Sequence, residues 1–169
     1  MSLVPYAGMV DAALKLKNDL NLWVAIGQTT AWANEAAPPA EDINAQTVSG
    51  VVVYKRVETT SVCVPDLNGL VVFQTQKYTL IQDINALSAV ARYTYLKTSL
   101  NYTEVPVVTF RQVGVFSGLV PSAGFTTADI LLPTQIVSPG RLLFVANDIP
   151  RVRSINTRDI IEIIREFKS

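Results

Sequence analysis

From Val107 to Val115 the chain reads VVTFRQVGV, a run with no polar face. At the two-residue period of a β-strand, Val107, Thr109, Arg111, Val113 and Val115 share one side, and Phe110, Gln112 and Gly114 the other. Strands with one solvated side alternate cleanly between apolar and polar positions, and strands covered on both sides do not. The run is therefore expected inside the protein, and the rest of the chain has to supply what covers it. A second segment, RLLFVANDIPRVRS from Arg141 to Ser154, has the same character. Both are strand-forming backbone with a few fixed polar positions, rather than reactive chemistry.

Most of the chain repeats this theme. LWVAIG (22–27), SGVVVYKRV (49–57), SVCVP (61–65), GLVVF (69–73), YTYLKTSLNY (93–102), ADILLP (128–133) and GRLLFVA (140–146) read as strands, with Pro65 to Gly69 as a turn. Asn147 and Asp148 introduce a further turn, and Pro150 is expected to stop the strand there. The last strand, IIEIIREF, sets Ile161, Ile163 and Phe167 on one face and Glu162 and Glu166 on the other. Two segments depart from the β pattern. Near the N-terminus Tyr6, Met9, Val10, Ala13 and Leu14 make one apolar stripe at helical spacing, with Pro5 at the first turn and Lys15 and Lys17 toward the end. Gln82 to Arg92 suits a short internal helix with Asp83 as N-cap. The expected fold is mainly β (α+β): an antiparallel, sandwich-like single domain over residues 1–169, with an N-terminal amphipathic helix and one short internal helix.

Composition narrows function mostly by exclusion. Lys and Arg total 14 and Asp and Glu total 14, without a basic stripe, so no nucleic-acid partner is expected. Histidine is absent, which removes the commonest general acid–base and the commonest metal ligand. The single cysteine, Cys63, sits in an apolar run and reads as a small buried hydrophobe rather than a nucleophile. Phosphate-binding glycine motifs and runs of alternating acids for calcium are missing. Glu162 and Glu166 share a face about 13 Å apart by strand rise, too far for a retaining glycosidase pair, and read as a solvated face. Trp23, Trp32 and the six tyrosines read as core packing before a sugar-binding face. Arg151, Arg153 and Arg158 cluster before the last strand; solvated charge, pairing across a subunit interface and an anionic ligand all stand open, in that order. No stretch reaches the ~20 apolar residues of a membrane span. The N-terminus lacks the basic start and apolar core of a secretion signal, so synthesis and folding in the cytoplasm are expected. With 49% apolar and only 17% charged residues, the chain is expected to hide apolar surface against other subunits.

Gln28 to Thr47, QTTAWANEAAPPAEDINAQT, is a long loop stiffened by Pro38 and Pro39. Loops of this length inside compact domains are commonly functional. Trp32, in its middle, either anchors a partner or lids the protein's own core. The loop (28–47) and the N-terminal helix (1–20) are the two partner-contact candidates.

FRQVGVF, Phe110 to Phe116, resembles the "fRQIG" motif of T4-type bacteriophage baseplate wedge subunits. Leu22 to Trp32, LWVAIGQTTAW, is similar to that family's "YVAIGrttpW" opening, and RLLFVANDIPRVRS resembles its closing "G-LLY-DN-P-R". Pro38 and Pro39 stand where its acidic, proline-rich loop falls, Val51 to Val57 matches its first long strand, and IIEIIREF ends the likeness. Two positions depart: Phe144 stands for the family's tyrosine, and Asn147-Asp148 for its asparagine–arginine pair. The resemblance implies a β-rich structural subunit of the virion tail, made in the host cytoplasm and assembling with other tail and baseplate proteins. It implies homo-oligomerisation and no enzymatic activity, catalytic residue, cofactor or metal; no nucleic-acid or membrane partner is expected. A neck or collar protein, a fibre-attachment adaptor, a receptor- or sugar-binding tail module and a carboxylate-dependent cell-wall hydrolase are the alternatives.

Overall fold

The structure, a computed structural model, describes residues 3–168; residues 1 and 2 of the predicted N-terminal segment, and residue 169, lie outside the described residues. In chain order the elements are α1 (Tyr6–Lys17), β1 (Leu22–Gly27), β2 (Val53–Arg56), β3 (Thr59–Pro65), β4 (Val71–Phe73), β5 (Gln76–Ile81), β6 (Tyr93–Leu100), β7 (Val108–Ser117), β8 (Val120–Pro121), β9 (Ile130–Leu131), β10 (Ile136–Ser138), β11 (Arg141–Arg153) and β12 (Asp159–Glu166). The protein is mainly antiparallel β with an N-terminal helix, as the sequence implies. It divides into two compact units. One comprises Met1–Leu20, Glu58–Thr98 and Ile161–Ser169, the other Asn21–Val57 and Ser99–Ile160.

In the second unit, β7 runs between β1 and β11 in a five-stranded sheet ordered β11-β7-β1-β2-β9. All residues from Phe110 to Phe116 are buried, and so is the whole of β1, which is the two-sided covering that their sequences call for. Trp23 lies opposite Phe116 and Ala25 opposite Gly114. Trp23, Phe116, Leu119, Leu131, Tyr54 and Val48 pack into the unit's core, each large side chain contributing roughly 1.5–3 kcal/mol by burial. β11 does not stop at Pro150 as expected but continues to Arg153. Its pairing with β7 is irregular between Asn147 and Arg151, and Pro150 sits within that irregularity on an edge strand, where a missing N–H costs no ladder bond. The run SGVVVYKRV yields a strand only over β2, because Ser49 and Gly50 instead close the long loop back onto Gly27 and Gln28.

In the first unit, the sheet order is β12-β6-β3-β5-β4. Helix α1 lies on one face, burying Val10 and Ala13 against Val62, Ala86 and Ala91, with Leu14, Val64, Ile81 and Phe167 around them. Thr94 Oγ1 donates to the Ala13 carbonyl at 2.9 Å, locking helix to sheet. Tyr6, counted in the apolar stripe, is 61% exposed; it lies in the first turn and stacks under the Arg92 guanidinium. The opposite face carries Cys63, Tyr78 and Tyr95, with Phe73, Tyr93 and Ile164 packed on them. The internal helix predicted over 82–92 is a single 3-10 turn, Asp83–Asn85, followed by further turns. Gln82, not Asp83, occupies the N-cap position, and the Asp83 carboxylate is held by Lys17 Nζ at 2.6 Å instead. Val90 takes a positive φ of 52°, which no continuing helix accommodates.

Candidate interaction site on the strapped strand

No helix or strand forms between Gln28 and Val52, yet the segment is firmly held. It lies as a strap over the second unit, and the fastenings come from the two sequence motifs. Arg111 on β7 clasps Glu35, with Nε at 2.8 and 2.9 Å from the two carboxylate oxygens and Nη2 at 2.6 Å; its Nη1 donates to the Thr29 carbonyl at 2.8 Å. The Arg111 guanidinium holds the Glu35 carboxyl below its ordinary value. Gln112 accepts from the Ser49 N–H at 2.7 Å and donates to Asn147 Oδ1 at 2.8 Å. Asn147 Nδ2 in turn donates to the Pro39 and Ala40 carbonyls, and its backbone N–H to Glu41 Oε1. Trp32 Nε1 donates to the Asp148 carbonyl at 3.0 Å. Trp32 is thus neither a free anchor nor a simple lid: it pins the strap to β11. Gly114 completes the seat, since a Cβ there would run into the Val48 side chain at the strap's far end.

The arginine cluster before β12 is not one feature. Arg153 is fully buried, which overturns the solvated-charge reading for it. Its guanidinium donates to the carbonyls of Ser154, Thr157, Asn101 and Tyr102 and to Asp159 Oδ2, so one side chain ties the turn after β11 to the turn after β6. Arg151 covers the Phe110 ring at 5.4 Å, and Arg158 donates to Ser99 Oγ at 2.8 Å. Lys55, only 6% exposed, donates to both oxygens of Glu104 at 3.1 Å, while Glu104 also accepts from Asn101. The two buried cations of this group, Arg153 and Lys55, act as staples, whereas Arg151 is half-buried and Arg158 exposed: a charge taken out of water is tolerated only when paired and hydrogen-bonded.

Residues 1–167 match the family described as "Baseplate wedge 3 tail fiber network component". The chain belongs to this family of phage baseplate wedge components. It is also 35% identical over 168 residues, covering 95% of this chain and 91% of the relative, to "Virion protein 3" of Enterococcus phage phiEF24C. The protein is a structural subunit of a bacteriophage tail, a virion component that assembles through protein–protein contacts with other tail proteins.

Within this family member, the remaining candidates resolve into structure. Glu162 and Glu166 lie on one face, as their spacing implies, but are not simply solvated. Glu162 accepts from the Tyr95 hydroxyl at 2.7 Å and Glu166 from the Tyr93 hydroxyl at 2.9 Å. Trp23, Tyr54, Tyr78 and Tyr95 are buried, the packing role expected of them, but Tyr6 and Tyr102 are exposed and depart from that expectation. Cys63 is wholly buried, and burial pushes its thiol up to about 12. No helix of the described residues is long and apolar enough to cross a membrane. Sequence reasoning found the strap and the two motif strands but missed that they are one object. Glu35 and Asn147 were legible only as loop and turn residues, because their partners lie 76 positions away in Arg111 and 35 in Gln112.

Proposed function

We propose that this subunit is non-enzymatic and works as a docking piece: the outer side of the strap and the outer side of α1 meet neighbouring baseplate and tail-fibre-network proteins. We further propose that the protein associates with copies of itself and touches neither nucleic acid nor membrane. One observation carries the reading: a segment of more than twenty residues is fixed from below while its other side stays open. Arg111, Gln112, Asn147 and Asp148 occupy the strap's inner groups, whereas Ile43 at its tip is 96% exposed. Fixing a loop in advance lowers the ordering cost of the complex it enters. Apolar residues open to solvent elsewhere, including Leu67 and Leu70 at 90% and 97%, support self-association. That the buried or partly buried cations Lys55, Arg111 and Arg153 are each held by a carboxylate in structural contacts supports the absence of catalysis.

The test is phage carrying Ile43→Asp. This surface change leaves the strap's fastenings intact, so the isolated protein should fold and melt as wild type, while its incorporation into tails falls. Normal incorporation and normal infectivity would remove the strap from the docking surface.

A further inference from the structure

Each sheet ends in strands with one open backbone edge, and proteins blunt such edges to prevent unwanted pairing. Of the four terminal strands of the two five-stranded sheets, three are blunted. β9 spans Ile130–Leu131 and β4 spans Val71–Phe73, too short to template a partner. β11 is guarded by the strap, whose Glu41 and Trp32 take up the Asn147 N–H and the Asp148 carbonyl. β12, eight residues reading DIIEIIRE, is long, isoleucine-rich and terminal in its sheet.

The direction of its free groups follows from alternation. Phe167 N–H donates to the Arg92 carbonyl, and Lys97 pairs with Glu162 at the other end, so β12 runs antiparallel to β6 with Phe167, Arg165, Ile163 and Ile161 directed at it. Ile160, Glu162, Ile164 and Glu166 therefore present N–H and C=O groups outward. Among the described residues these carry a single contact, a long one of 3.4 Å from Arg151 Nη2 to the Ile160 carbonyl.

We infer that the β12 edge pairs antiparallel with the β12 edge of a second copy. Among the registers that overlap most of β12, those centred on Glu162, Ile163 and Ile164, the charges select one. Pairing about Glu162 opposes two carboxylates, and pairing about Ile164 opposes Glu162 to Glu166 twice. Like charges directly opposite are destabilising. Pairing about Ile163 sets Glu162 opposite Ile164, Ile161 opposite Arg165, and Ile163 opposite itself, with no carboxylates opposed. It also puts Ile160 of the second copy, 44% exposed in the single chain, beside Glu166. Glu166 is at the rim of a mixed polar and apolar cavity of about 580 Å³, whose lining includes Phe73, Tyr78, Tyr93 and Ile164 beside Gln74, Arg165 and Lys168. The outer pairs require Arg151 to release the Ile160 carbonyl; the inner Glu162–Ile164 pairs form without it. This inference rests on the self-association proposed above and names its surface.

Sedimentation analysis of the purified chain gives the first readout, and a dimer is expected. Ile163→Cys should then cross-link under mild oxidation. The two Ile163 positions form a non-hydrogen-bonded pair with Cα atoms about 4.5 Å apart, within disulfide reach. Ile155→Cys, at an exposed site off the strand, should not cross-link. Ile164→Pro removes an outward N–H twice per dimer and no bond to β6, and should weaken the dimer about 10- to 100-fold. Ile160→Asp, a surface change that spares folding, should weaken it as well. A wild-type monomer would overturn both the self-association and the edge. A dimer that survives Ile164→Pro and Ile160→Asp, with no Ile163→Cys cross-link, would overturn the edge alone.

Discussion

Replacing Arg153 by methionine is the sharpest test of the idea that the closing motif is structural. The side chain is fully buried and makes five hydrogen bonds, to Ser154, Thr157, Asp159, Asn101 and Tyr102. Methionine keeps most of the aliphatic stem but leaves all five acceptors without their donor. Removing one partner of a buried ion pair costs about 3–5 kcal/mol. Here Tyr102 is 55% exposed, so water replaces part of what is lost, and the low end, about 3 kcal/mol, is expected. For a chain of 169 residues that is a fall in melting temperature of roughly 6–12 °C. Arg153→Lys keeps the charge without the planar fork and should fall between the two. Tryptophan fluorescence is the assay, because both tryptophans, Trp23 and Trp32, belong to the unit that Arg153 staples. A methionine variant melting within about 2 °C of wild type would refute the staple.

Further outcomes follow from the same geometry. Gly114→Ala drives a Cβ into Val48 and should cost about 1–3 kcal/mol and expose the strap to limited proteolysis; an unchanged digestion pattern would deny the close seat. For Glu104, burial raises the carboxyl, but Asn101 and Lys55 outweigh it, and the net shift is below the ordinary 4.5. Such a group stabilises the fold above its unfolded value and loses that contribution as pH falls through its lower folded value. Denaturant stability should therefore be flat above about pH 5.5 and decline below 4.5, less steeply in Glu104→Gln. Cys63, with its thiol pushed up to about 12, should resist a thiol-reactive dye at pH 8 in the folded protein and react at once in urea; prompt reaction without urea would contradict its burial.

Much of the β framework was legible because its signals are local. The mixed faces around Phe110 and Gln112 reported a doubly covered strand, and LWVAIG matched β1 residue for residue. The helix stripe likewise found its core in Val10 and Ala13. What escaped was long-range. Pro150 reads as a stop in one dimension, but an irregular edge strand passes through it. Asp83 has the composition of an N-cap, and a lysine from another element claims it. Arg153 looks like one of three surface arginines until the carbonyls of Asn101 and Tyr102 arrive from more than fifty residues away. Charged residues reveal whether they are staples or solvated only through partners that sequence order does not bring near.

Quantitative peptide mass spectrometry of purified particles tests the central claim most directly. A fixed tail subunit should be present at a copy number that is a whole multiple of the tail's rotational symmetry, measured against the major tail proteins. Absence from mature particles would contradict a structural role in the tail and point to an assembly factor that leaves before the virion is complete.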